Sequence, residues 1–253
     1  MINKVVNSFD EAVSDMRDGA LLLVGGFGGP GECPSYLVAA VARKGVKNLT
    51  IAGNLGGWGT VLTERIRETM RGIIRFPPDF YDVGLIVERG QVRKGILAFP
   101  AAPGRFLLPF EQLYVEGKVE YELLGQGSIA ERIRAARAGI AAFYTPTGVG
   151  TQAAWGKEVR HFNGRPYVLE QALKGDFSLI RAHKADRYGN LVYKGSARTF
   201  NATMAGASTI TIAEVDEVVE LGQLDPECVV TPGLYVQRVV VRPKEPKPWD
   251  QAM

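Results

Sequence analysis

The residues with the most obvious capacity for chemistry sit early, in "VGGFGGPGECP", residues 24 to 34. Glycines directly after a short apolar run let backbone N–H groups approach an anionic or carbonyl oxygen without a Cβ in the way. The spacing excludes a P-loop, since no GxxxxGK[ST] occurs. Gly26, Gly28 and Gly31 do fit GxGxxG. A dinucleotide fold would want an acid near the end of the next strand, however, and that strand ends at Gly53-Asn54. A tight turn without a ligand is the competing explanation. Cys33 lies in the same stretch, but no histidine stands beside it in the motif, so it reads as a small buried or half-buried packing group. Cys228, after a turn, reads the same way. Asp216 and Glu217 are neighbours on an expected strand and point to opposite faces, which makes them a poor acid–base pair. The two cysteines lack CxxC or CxxH spacing, and only two histidines are present. A resident metal or cofactor is therefore not expected.

These residues need elements to position them. Residues 8 to 17 read as a helix capped by Ser8, with Asp10 and Glu11 in its first turn. "ALLLVGGF" reads as a buried strand, "PSYLVAAVARKG" as a helix from Pro34 to Gly45, and "NLTIAGNLGG" as a second strand. Strand, tight loop, helix and strand make a βαβ unit. "GIIRF", "GLIVE" and "GILAF" read as further strands, "SIAERIRAARAG" as a helix ending at Gly139, and "IAAFYTP" as a strand. "YVLEQAL" and "FSLIRAHKA" lead to the turn "DRYGN", with "NLVYKG" returning as a hairpin. "STITIAEVDEVVE" and "LYVQRVVV" supply the last strands. The expected architecture is α/β, an open and mostly parallel sheet with helices on both faces and a small hairpin flap around residues 155 to 195. Residues 1 to 241 read as one domain and 242 to 253, rich in Pro and Lys, as a tail.

The bulk composition narrows the function classes. The chain has 253 residues, a formal charge of +3, 46% hydrophobic and 23% charged residues. The small charge and the lack of a like-charge block argue against a nucleic-acid partner. No apolar run approaches a membrane span, and the N-terminus does not resemble a signal peptide, so a cytoplasmic protein without a membrane partner is expected.

The stretch "DGALLLVGGFGGPGECP" resembles the Gly-Gly-Phe signature of the alpha subunit of family I CoA-transferases, of the 3-oxoacid type. The blocks "QGSIAERIRA", "AGIAAFYTPTGVGT", "GKEVRHFNGRPYVLEQAL", "KADRYGNLVYKGSARTFN", "TIAEVDEVVE" and "LDPECVVTPGLYVQRVV" resemble that subunit in the same order, from about residue 8 to 241. The resemblance implies transfer of CoA from an acyl-CoA, succinyl-CoA-like, to a carboxylic or 3-oxo acid. A glutamate carboxylate attacks the thioester and passes through an acyl anhydride to a glutamyl-CoA intermediate. The family's Glu-Asn-Gly is missing here, so the nucleophile is expected on a beta subunit, in an α2β2 assembly. CoA enters as a thioester substrate, with no separate cofactor. "VVTPGLYVQRVVV" is an expected part of the subunit contact.

Asn54 matches the first of two asparagines in the family, and Gln126 the glutamine of a Pro-Gln-Gly stretch. The resemblance gives both a supporting catalytic part, as neutral donors to a carbonyl or carboxylate oxygen. It places Gly25, Gly26, Phe27, Gly28 and Gly127 beside them at the CoA thioester. His161 and His183 receive no catalytic part. The departures concern the pocket. The loop before Pro34 is one residue longer than the family's, the second asparagine is Leu55, and residues 60 to 82 are an insertion. Leu97-Ala98-Phe99-Pro100 stands where the family has a Ser-Ser-Tyr run, with a second, shorter insertion after Pro100. Each change at a strand end exchanges polar for apolar groups, which implies a larger or more apolar acyl group than acetoacetate. Two other functions remain open from sequence: a CoA-ester hydrolase on the same scaffold, and a phosphosugar-binding or isomerase-like domain of shared fold.

Overall fold

The structure is a computed structural model and describes residues 2–27, 32–60, 63–64, 80–101 and 107–244. A one-turn helix α1, Phe9–Ala12, begins where the Ser8 hydroxyl accepts from Glu11 N, leaving the N-cap as expected and the helix shorter. β1, Leu21–Val24, is buried along Leu22, Leu23 and Val24. α2, Ser35–Lys44, stops at Gly45 in the left-handed region, and β2, Leu49–Leu55, follows.

The run "GLIVE", expected as a strand, is instead the helix α3, Gly84–Glu88. A short apolar run fits either element. Here Asp82 decides, because its Oδ1 accepts from Gly84 N at 3.0 Å and starts the first turn. "GIIRF" lies outside the described residues. β3, Val92–Phe99, extends "GILAF" backwards. α4, Pro109–Val115, with proline at its first position, and β4, Glu120–Leu123, were not anticipated. α5, Gln126–Ala138, ends at Gly139 as its spacing predicts.

β5, Ala142–Thr145, β6, Val159–Phe162, and β7, Arg165–Gln171, pair antiparallel in the order β5-β7-β6. This is the flap, and it spans 142–171 rather than 155–195. β8, Gly175–Asp186, leaves it because nearly every residue from Phe177 to Ala182 is buried on both sides, as a central strand requires. β9, Leu191–Val192, returns antiparallel on β8. α6, Phe200–Met204, β10, Ser208–Val219, and β11, Arg238–Val241, complete the chain.

The main sheet runs β11-β10-β8-β1-β2-β3-β4, all parallel, with β9 on its β8 neighbour. One face packs Leu22, Ile51, Leu179 and Ile212 against α1 to α4; the other packs Leu23, Ala52, Ile180 and Ala213 against α5 and α6. Fully burying each such side chain contributes about 1.5–3 kcal/mol before entropy is counted. From β1 the strand order proceeds one way to β4, while β8 lies on its other side and continues to β11. The connection after β1 runs to α2 on one face, and the connection after β8 runs to α6 on the other. A crevice opens where such connections part, outside the carboxyl ends of the strands. Among the described residues, no helix is long and apolar enough to cross a membrane.

Candidate active site

Three of the residues singled out from sequence meet at this crevice. Asn54, at the end of β2, is 6% exposed. Its Nδ2 donates to Phe27 O at 2.8 Å, and its Oδ1 accepts from Gln126 Nε2 at 2.5 Å. Phe27 follows β1 and Gln126 opens α5 directly after β4, so one buried amide ties three strand ends together. Each carboxamide N carries two hydrogens; these bonds use one on Asn54 and one on Gln126. Gly127 is the next residue of α5, exposed, and a Cβ there would meet no other atom of the chain within 4 Å. The first turn of α5 also carries unsatisfied N–H groups and the positive end of the helix dipole.

The glycine-rich turn is occupied differently from the simplest expectation. Gly25 N donates to Leu179 O at 2.9 Å, and Phe27 N donates to Glu32 Oε2 at 2.7 Å. Those two amides are committed within the chain. Gly26 adopts φ 100°, a conformation few side chains tolerate. The Phe27 side chain is 42% exposed, its ring 5.9 Å from that of Phe200. Gly28 lies outside the described residues, as does most of the 60–82 insertion. The N-terminus of α2, which could otherwise receive an anion, is filled from inside. Glu214 is fully buried, accepts from Tyr36 N at 2.9 Å and Leu37 N at 3.0 Å, and pairs with Arg242.

A cleft of about 360 Å³ opens beside Gln126, between the ends of β3 and β4 and the 147–153 turn of the flap. A second, much smaller space, about 20 Å³, lies between Asn54, Gly25, Gly26, Cys33 and Asp82. Substrate atoms therefore have room on the Gln126 side.

Sequence reasoning passed over Asp82. Its carboxylate accepts from Trp58 N, Gly59 N and Gly84 N, binding the turn after β2 to the start of α3. Burial pushes its pKa up to about 6 against those three bonds. An Asp just before an apolar run is a legible helix start, and that signal was available. The sign of its pH dependence follows from the raised value. The folded protein holds this proton above the unfolded pKa of 3.8, so stability falls as pH rises towards 6 and then levels. Between about pH 4 and about pH 7, Asp82→Asn is expected to gain roughly 2 kcal/mol relative to the unaltered protein. Urea unfolding of both at several pH values tests this, and parallel profiles would refute it.

The remaining titratable candidates are accounted for structurally. Cys33 is buried, and burial pushes its thiol well up, consistent with packing. Cys228, expected to be at least half buried, is exposed. It lies at the end of a short 3₁₀ turn, and the hydrogen bond to Asp225 raises its thiol pKa rather than activating it. Asp216 shares its oxygens between Arg181 and His183. Burial would raise its pKa, but those bonds hold it below the usual carboxylate range. His161 is exposed on β6. Among the described residues, no group of three or more His, Cys, Asp or Glu side chains is arranged to hold a metal ion.

A family model described as Coenzyme A transferase matches residues 6–242. The chain belongs to the coenzyme A transferase family. It is 45% identical over 240 residues to one subunit of the 3-oxoadipate CoA-transferase of Pseudomonas putida, covering 95% of this chain and 94% of that one. It is 41% identical over 238 residues to the corresponding subunit of the succinyl-CoA:3-ketoacid coenzyme A transferase of Helicobacter pylori (strain J99 / ATCC 700824), covering 94% and 92%. An acyl-CoA transferase from E. coli O157:H7, solved as a thioester complex with CoA, superposes with a TM-score of 0.76 at 22% identity; 96% of this chain and 50% of that one are covered, which shows the fold. The family I alpha-subunit resemblance therefore stands, and with it the reaction class, CoA transfer. The phosphosugar alternative is superseded.

Proposed function

We propose that this chain forms one half of a heteromeric CoA-transferase active site, with Asn54 and Gln126 as its neutral hydrogen-bond donors and the nucleophile supplied by a glutamate of a beta subunit. The observation that carries this reading is the Phe27–Asn54–Gln126 chain of hydrogen bonds at the carboxyl ends of β1, β2 and β4. The partner's glutamate attacks the donor thioester carbonyl, and the C–S bond breaks to leave an acyl-glutamyl anhydride and CoA thiolate. The thiolate then attacks the glutamyl carbonyl, releasing the first acid and leaving glutamyl-CoA; the acceptor carboxylate reverses the sequence. Each attack develops negative charge on a carbonyl oxygen. The second N–H of Gln126, aided by the first turn of α5 at Gly127, suits that charge and carries no pH dependence of its own. Gly26 supplies close-approach backbone, and Phe27 a wall.

The need for a partner is supported by the relatives' names, which make each of them one subunit of a larger enzyme, and by apolar side chains left open. Leu234 is 70% exposed and Val230 41%, both within "VVTPGLYVQRVVV". Co-expression with a beta subunit tests the reading. Acceptor-dependent CoA transfer by the pair, absent from either chain alone, is expected. Release of CoA without an acceptor would replace it with the hydrolase reading.

A further inference from the structure

The cleft beside Gln126 has a chemical character of its own. Its walls are Ala98 and Phe99 at the end of β3 and Leu123 and Leu124 at the end of β4, and the flap turn closes its far side. Phe99 and Leu123 are each 49% exposed, apolar surfaces turned to an open space. The sole charged group among the described lining residues is Glu170. It is 3% exposed, and its carboxylate already holds Lys157 Nζ at 2.6 Å, with Arg132 Nε at 3.9 Å. No Arg, Lys or His stands among the described residues that line the cleft.

A second carboxylate on a substrate needs a cation or a convergent set of donors to replace its water. Here the described lining offers it the neutral groups of Gln126, Ser128, Thr147 and Thr151 but no cation, beside aliphatic and aromatic carbon and a buried anion whose nearest cation is already committed. An uncharged chain meets the opposite situation, since the same walls reward burial of methylene groups. The volume, about 360 Å³, is room for roughly a dozen groups the size of a water molecule. We propose that this cleft holds the acyl chain and selects an uncharged, aliphatic one, discriminating against acyl groups that end in a second carboxylate. The inference rests on the transferase reading of Gln126, and it departs from the dicarboxylic 3-oxoadipate and succinyl groups in the relatives' names.

Two acceptors of equal carbon number isolate the point: 3-oxohexanoate and 3-oxoadipate share the reacting carboxylate and the 3-oxo group and differ only at the far end. With the co-purified enzyme and acetyl-CoA as donor, kcat/KM for 3-oxohexanoate is expected to exceed that for 3-oxoadipate by about tenfold or more. Equal use, or preference for 3-oxoadipate, overturns the proposal. Leu123→Arg, which offers a cation at an exposed position of the wall, is expected to move the ratio about tenfold towards 3-oxoadipate. Leu123→Gln, polar but uncharged, is expected to leave it within about twofold. If Arg and Gln act alike, the chain end does not lie in this cleft. Should CoA be released without any acceptor, the transferase reading fails separately. Hydrolysis of hexanoyl-CoA against adipoyl-CoA then decides the cleft, equal rates again overturning it.

Discussion

Asn54→Ala is expected to lower kcat of the assembled enzyme by about 10²–10³-fold, with a smaller change in KM. The size follows from what the side chain holds. Its Nδ2 fixes Phe27 O and its Oδ1 fixes Gln126 Nε2, so alanine releases the donor group opposite the developing oxyanion as well as removing its own second N–H. Interactions that strengthen in the transition state appear in kcat, whereas uniform binding appears in KM. Gln126→Ala is expected to fall in the same direction. The double variant should be little worse than Asn54→Ala alone, because groups that act as a unit are not additive. Asn54 is also buried, so unfolding midpoints must accompany the kinetics. A loss of kcat that merely tracks a loss of folded protein, or singles whose effects multiply in the double, would remove Asn54 from this role.

The outline of the fold was legible in the sequence because its signals are local. Ser8, Gly45 and Gly139 mark helix ends by their own backbone or side-chain chemistry, and the short, mostly apolar runs of β1 and β2 are those of buried parallel strands. Where the signal depended on distant partners, local reading failed. "GLIVE" has the composition of a strand; Asp82 just before it is a local start signal that was passed over, and only the bonds that fix its carboxylate to the turn after β2 are distant. The flap boundary was misplaced because "FSLIRAHKA" has the composition of hairpin and central strands alike, and only pairing to β1 and β10 distinguishes them. The site divides in the same way. Asn54 and Gln126 stood out through family resemblance, while Glu32, which holds Phe27 N from within the same loop, was passed over. Asn201, which holds Glu32 O, acts across a long sequence separation that no local pattern records. Nor could sequence say which amides of the turn were already spent.

That last distinction yields the second large effect, because two glycines of the site are predicted to fail in opposite ways. At Gly25 an added Cβ would run into Asn201 Oδ1 and lie 2.8 Å from its Cγ. Asn201 is fully buried, with its Oδ1 accepting from Arg181 N at 2.8 Å and its Nδ2 donating to Glu32 O and Ala197 O. It cannot retreat without breaking bonds that hold both β8 and the loop carrying Glu32. Gly25→Ala is therefore expected to destabilise the protein by about 3 kcal/mol, at the upper end for overpacking, and to lose activity through misfolding. At Gly127 the chain itself leaves open space, and alanine in a helix is favoured over glycine by up to about 1 kcal/mol. Gly127→Ala should leave the unfolding midpoint unchanged or raise it. If the α5 terminus is where a thioester carbonyl comes close, the same methyl group should nevertheless lower kcat/KM by about tenfold or more. Chemical unfolding and steady-state kinetics on the two variants separate the cases. A Gly127→Ala enzyme that is stable and fully active would move the acyl carbonyl away from α5, and a Gly25→Ala protein of ordinary stability would mean that the turn after β1 is not packed as described.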